Sequence, residues 1–434
     1  MPRHISIFTL LALALINTSI TLASPASTKF AIEREEKDEG FGHQLWIPYA
    51  FSTESMGTNL GLGYVRKGFY QPQMTVAATV FGGDSEAYAV MLNDFRLPYT
   101  DRLYLSALGM YGDYPKLKAY ALPQETRWPS EQARPGSNDS SNELFIESQG
   151  QNNWMDVRLE FVLPIGSAKK QGWMEYKTRG GLLSSDSSRK GHWNPLTSGV
   201  SVALLRRLWR EQIYESELGR LDAKSASWQL GFHYDNSDFP ANPSTGTKQF
   251  IAYTSDNSPL KQSTWDFIEA EHSQYMYLGQ GLGAKQRVLA VTAWAGYSPS
   301  WQVHTEGDES YLSNTPIYGE GATLGGFDRM RGFDSNRFSD KAALYLAAEY
   351  RHTLDWNPAD SWKLLRRFNL DWLQVVAFAE SGRVHSDFNT RLLQDMHQDI
   401  GVGLRAYFST MVGRLDFAVS NEQAGMWLMV GQSF

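Results

Sequence analysis

The 434-residue chain contains no cysteine. Disulfide and thiolate chemistry are therefore excluded, and the fold must be held by burial and hydrogen bonding. It also lacks, after its first two dozen residues, any apolar run near the roughly 20 residues that a membrane-spanning helix needs. Such a chain is either soluble or crosses a bilayer as strands. A strong net charge is missing as well: at −7 the balance is mildly acidic, which argues against a general nucleic-acid binder. There is no Gly-x-Ser-x-Gly elbow and no Gly-x-x-x-x-Gly-Lys phosphate loop, so two common enzyme frameworks are absent. No period of about 20–50 residues recurs, which disfavours solenoids and propellers.

What is present begins with an export signature. Arg3 gives a positive start, Ile5 to Ile16 is uncharged and mostly apolar, and Thr21-Leu22-Ala23 offers small residues for cleavage. The expectation is a signal peptide over 1–23 and a mature chain from Ser24; losing Arg3 takes the net charge from −7 to −8. Mean hydropathy is −0.40, which suits a soluble protein but equally a barrel whose strands alternate between lipid and lumen. Aromatics make up 13% of the residues, with 14 Trp and 21 Tyr, as the girdles at the two membrane surfaces would require.

From Gly57 onward, alternating segments are separated by Gly, Pro, Asn and Asp clusters, a strand-and-turn pattern. Met74, Val76, Ala78 and Val80 share one face, with Thr75, Ala77 and Thr79 on the other. Segments of this kind fall at 57–67, 72–81, 86–96, 102–112, 154–164, 171–182, 197–210, 227–236, 247–256, 264–277 and 287–300. About five more follow residue 340, giving an all-β transmembrane antiparallel barrel of about 16 strands over 57–434. Leu204 to Leu221 also reads as an amphipathic helix, and Gly180-Gly181 interrupts 171–182. Strand parity puts the long loop at 114–153 on the periplasmic side. Residues 24–56 are too few for a domain and read as a periplasmic tail or lumen plug. The final strand carries Met426, Leu428, Val430 and Phe434 on one face, a terminal aromatic that resembles the assembly signal of outer-membrane barrels.

Residues 324–333, Leu-Gly-Gly-Phe-Asp-Arg-Met-Arg-Gly-Phe, are followed by an alternating stretch ending Glu349-Tyr350-Arg351. The run resembles the signature loop and following strand of the BamA/TamA superfamily, the bacterial surface antigen family. Phe378-Ala379-Glu380-Ser381-Gly382 is similar to that family's Phe-x-Asp-x-Gly strand, with Glu for Asp, and Gly401-Val402-Gly403-Leu404-Arg405 to the strand after it. Tyr234-Asp235 through Asp238-Phe239-Pro240, with Gly246, is similar to an upstream family segment in which Ser237 stands where Arg is usual. The resemblance covers roughly 225 to 434. It implies a loop folded back into the lumen, with Arg331 meeting a carboxylate on the Phe-x-Asp-x-Gly strand, so Glu380, with Glu349 in reserve.

The loop's chemistry also follows from its residues. Gly325, Gly326 and Gly332 allow tight or positive-φ backbone and close approach to a wall. Arg331 in a shielded lumen needs a carboxylate, ideally in a bidentate pair, and Phe333 would exclude water from it. The alternative is an ordinary solvated loop arginine.

Three function classes follow. The resemblance implies insertion or export of outer-membrane proteins, through a weak seam joining 57–67, with Gly57, Gly61 and Gly63, to 425–434. Its partners would be outer-membrane lipid, client barrels or a separate periplasmic protein, because the chain leaves no room for the family's POTRA domains. The second class is a structural barrel or gated passive pore. An enzyme is the third and is not expected: His233, His272 and His352 have no serine paired with them by any motif, and Asp308-Glu309 lacks the spacing of a calcium loop. No cofactor or metal is expected.

Overall fold

The computed structural model describes residues 26–35, 44–53, 56–122, 126–184, 193–216, 219–256, 264–362, 368–408 and 410–434. The expected signal peptide lies outside these. Sixteen strands form one antiparallel sheet in chain order. They are β1 Gln44–Thr53, β2 Gly57–Lys67, β3 Thr75–Gly83, β4 Glu86–Arg96, β5 Leu103–Ala119, β6 Ile146–Val162, β7 Val200–Ser216 and β8 Gly219–Asp235. The second half is β9 Gly246–Asp256, β10 Trp265–Gly279, β11 Ala284–Tyr297, β12 Ala342–Leu354, β13 Leu370–His385, β14 His397–Phe408, β15 Met411–Val419 and β16 Ala424–Val430. Among the described residues no helix is long and apolar enough to cross a membrane.

Two strand assignments change. Residues 44–53, expected in the tail or plug, are the first strand of the sheet, paired with β2 from Gln44↔Arg66 to Thr53↔Gly57. The segment expected as a barrel strand at 171–182 is instead Met174–Arg179 and Leu182–Leu183 of a satellite sheet, whose third member is Phe30–Arg34. One strand is gained and one lost, so the count stays at 16 while the parity shifts. The long loop, trimmed to 120–145 by the length of β5 and β6, therefore lies at the end opposite β1's start and β16's finish, together with the loop at 298–341. That end is the far end of the barrel and the other the near end. The helical reading of Leu204 to Leu221 also fails: residues 204–216 belong to β7 and 219–221 to β8, whose ladder runs without a break from Val200↔Asp235 to Ser216↔Gly219.

The sheet is rolled, and the N-terminal segment proves it. Lys29 Nζ meets Asp94 on β4 at 2.5 Å and Glu160 on β6 at 2.7 Å, while Arg34 Nη2 meets Asp371 on β13 at 2.5 Å. Five residues of extended chain with two long side chains reach about 30 Å at most. In a flat sheet the nine steps from β4 to β13 would span about 43 Å. Only a curved wall brings both within reach. Lys29 is fully buried; burial works against its charge, but Asp94 and Glu160 outweigh this and raise its pKa.

Side chains alternate across the wall as a barrel demands. On β14 the inward Asp399 and Arg405 are 2% and 0% exposed, whereas the outward Ile400, Val402 and Leu404 are 61%, 56% and 46% exposed. The interior is therefore polar and the outside apolar. Much of the interior is filled by chain. Phe30–Arg34 and its satellite sheet pack at the near end against Tyr104, Val202 and Phe239, and the 298–341 loop enters from the far end.

Candidate functional site

The 298–341 loop leaves β11, forms a hairpin of Gln302–Glu306 with Glu309–Ser313, and then turns into the lumen. Gly325 and Gly326 sit at φ 112° and 99°, a region that side chains other than glycine's avoid, so the chain can double back there. Asn336 N and Gly325 O, with Gly325 N and Arg329 O, close the fold of the tip. Gly332 serves a different need. A Cβ on it would lie 2.6 Å from the Cβ of Asp399 and 3.0 Å from Ser420 N, so only glycine lets the tip touch the wall of β14 and the turn after β15.

Arg331 is 1% exposed. Its Nε lies 3.2 Å from Glu380 Oε2 on β13, its Nη2 3.1 Å from Glu349 Oε1 on β12, and its Nη1 2.6 Å from Asp416 Oδ2 on β15. Its backbone N–H donates to Glu380 Oε2 at 2.7 Å and its carbonyl accepts from Trp427 Nε1 on β16 at 2.7 Å. The Phe378 ring lies 3.5 Å from the guanidinium carbon. The expected partner and the reserve thus both engage at once, on separate edges of one planar group.

Sequence reasoning missed the remainder of the cluster. Glu349 also accepts from Arg405 at 2.8 Å, Arg351 at 2.9 Å and Ser433 Oγ at 2.6 Å. Asp416 lies 3.5 Å from Arg414 Nε, and Asp399 accepts from Gly332 N at 3.0 Å. Four arginines and four carboxylates share this buried volume, so their formal charges cancel. Unpaired charges there would be prohibitive. A signal existed in the chain: Glu349-x-Arg351 and Arg414-x-Asp416 are charges two apart, hence on one face of strands whose other face is apolar.

Phe333 is fully buried but does not cap the pair. It packs edge-on to Phe338 and His397, at 5.3 and 5.7 Å, and Phe378 takes the expected place over Arg331. Leu428 and Val430 hold their places in β16, yet Phe434 does not share their outward face. The strand stops at Val430, Gly431 takes φ 98°, and Phe434 turns inward to stack on Arg351, whose Nη2 donates to its carbonyl oxygen at 3.2 Å.

A second loop clamps the first. Arg337, fully buried, donates to Glu422 at 2.8 Å and to the Ser140 carbonyl at 2.5 Å, and Tyr120 donates to Asp334 at 2.6 Å. Arg134 of the same 120–145 loop bonds to the Ser339 carbonyl. His233 is buried on β8, while His272 and His352 face outward on other strands, where they contact Gln249 and Tyr350. The three do not meet.

No family model matches the sequence, and no curated protein matches it. Among solved structures the chain is similar to CdiB from Escherichia coli, at 12% identity and a TM-score of 0.50, over 89% of this chain and 61% of that one. The two share a barrel fold. CdiB from Acinetobacter baumannii is similar at 11% identity and a TM-score of 0.47, over 88% of this chain and 58% of that one. BamA from Haemophilus ducreyi lacking POTRA domains 1–3 is similar at 12% identity and a TM-score of 0.47, over 90% and 70%. This chain spans about three fifths of the length of the two CdiB structures.

Proposed function

We propose that this chain is an outer-membrane barrel of the BamA/TamA superfamily that helps to insert or export other outer-membrane proteins. The observation that carries the reading is the coupling of the lumen loop to the last strand. Arg331 binds β12, β13 and β15 through its side chain and β16 through its carbonyl. β1 and β16 are the two ends of the ladder, and no pairing joins them among the described residues. The seam therefore lies at β1 rather than at 57–67. An unpaired strand edge is a template for another strand. A loop that grips the neighbours of that edge sets how far β16 can move. The four ordered sequence matches around Arg331, Glu380, Arg405 and Asp235 support the same family, and its members suggest client barrels and a separate periplasmic protein as partners. The test is depletion of the protein followed by quantification of outer-membrane proteins; unchanged levels of every one of them would count against the reading.

The polar inward face supports a second reading, a gated passive pore. Single-channel recording of the parent and of Arg331→Ala tests it. A pore should conduct at least when the loop is loosened, and silence from both proteins would count against it.

A further inference from the structure

On β7 the inward Arg206 is paired with Asp156 at 2.9 Å. Its neighbour Arg207 points the other way. The outward residues of β7 run Ala203, Leu205, Arg207, Trp209, Glu211 from near end to far end, and those of β8 beside them run Phe232, Leu230, Trp228, Ala226, Lys224. Leu230 and Trp228 are strongly exposed, as lipid-facing residues are. An arginine thus interrupts an apolar band.

The guanidinium carbon of Arg207 lies 4.8 Å from the centre of the Trp228 ring and 5.1 Å from that of Trp209. Among the described residues nothing else answers it: no carboxylate stands within ion-pair distance and no hydrogen bond is made. Two indole faces hold a planar cation by attraction to the ring quadrupole and fix its orientation, but they accept none of its five N–H bonds. Elsewhere on the outer wall, Arg287 donates to the carbonyls of Leu278 and Gln280, and Arg383 to that of Gln394. Arg207 lacks such an answer.

Its depth is set by its neighbours. Glu211 and Lys224 pair at 2.6 Å on the far side of Trp209, and Lys116 and Glu147 pair at 3.8 Å on β5 and β6, so the wall turns polar there. Glu211 lies four positions beyond Arg207 along the strand. On a strand tilted by about 40° this is roughly 10 Å of height, most of which an extended arginine side chain can cover. A cation at mid-bilayer is costly to a barrel, and one near the interface is not. At the interface the abundant acceptor with the right geometry is phosphate, which a guanidinium binds through two parallel N–H bonds.

We propose that Arg207, lying over Trp209 and Trp228, binds the phosphate of an anionic lipid in the leaflet at the far end of the barrel. The inference rests on the barrel fold alone and stands whether or not the chain assembles other proteins.

The test is native mass spectrometry of the full chain in a neutral detergent, titrated separately with phosphatidylglycerol, a phosphorylated diglucosamine lipid and zwitterionic phosphatidylethanolamine. The parent should retain one or both anionic lipids and shed phosphatidylethanolamine. Arg207→Gln should lose retention several-fold and Arg207→Lys less, because charge survives without the planar fork. Arg127→Gln, a loop arginine beyond the membrane paired with Glu306, should match the parent. Preference for the diglucosamine lipid would identify a glycolipid headgroup, and equal retention a phosphate of either source. Undiminished retention in Arg207→Gln, equal retention of phosphatidylethanolamine by the parent, or an equal loss in Arg127→Gln would each overturn the proposal. Heat-dependent gel mobility checks that every variant remains a folded barrel.

Discussion

At the residue scale the informative fact is that Arg331 has three carboxylates and not one. Replacing it by Met would leave Glu349, Glu380 and Asp416 buried around a missing cation, and removing one partner from a buried ion network costs about 3–5 kcal/mol. Urea unfolding of the reconstituted barrel should show a loss of that size; a change below about 1 kcal/mol, the worth of an exposed pair, would mean the site is wetter than its geometry indicates. Glu380 is the subtler test. It takes both the backbone N–H and the Nε of Arg331 on one oxygen and the Tyr345 hydroxyl on the other. Glu380→Asp pulls the carboxylate back by one methylene, so one of the two sets is lost. The expected cost is about 1–3 kcal/mol, as for a hydrogen bond to a charged group, and Tyr345→Phe in the Asp background should then cost little more if the hydroxyl is the contact that was given up.

At the scale of elements, the 120–145 loop has no part in the arginine cluster, yet it holds the loop that does. Arg337→Met removes the bonds to both Ser140 and Glu422 at once. Hydrogen exchange should rise in 120–145 and 314–341 while β12 to β15 keep their protection; equal deprotection of the strands would show that Arg337 supports the wall instead. These elements also show what could be read from the chain. Alternation marked β2 to β4 and the five strands after 340 because each has one polar and one apolar face. β1 escaped because Pro48 breaks the strand pattern, although a proline is tolerated at the edge of a sheet, where β1 lies. Met174–Arg179 misled for the opposite reason. It is a two-faced strand, but a period of two records that two faces differ and not which sheet the strand joins. The lumen loop and Glu380 were legible through the resemblance of 324–333 and 378–382 to a family's loop and strand. Local pattern puts Arg405 and Asp416 on a polar face at most; their partners, and the inward turn of Phe434, depend on contacts 56 to 85 residues apart in sequence, which it does not specify.

At the scale of the whole molecule, both mouths of the barrel are occupied by the chain itself, the near one by 26–35 with its satellite sheet and the far one by the two clamped loops. Deleting 26–35 and substituting Arg331→Ala together should therefore raise the permeability of proteoliposomes to small sugars by more than the sum of the two single changes. Additive or smaller effects in the double variant would argue that the two plugs do not block one path in series. The outline of the barrel has a further consequence. β5 to β8 have 17 residues each, whereas β4 and β9 beside them have 11. The ladders β4–β5 and β8–β9 stop at Asp113 and Trp228, so the excess stands entirely at the far end. Six to nine extra residues on tilted strands make an off-centre crest about 20 Å high. In an atomic-force topograph of a native membrane patch, that crest would tell the two orientations of a single molecule apart by its shadow, without label or antibody.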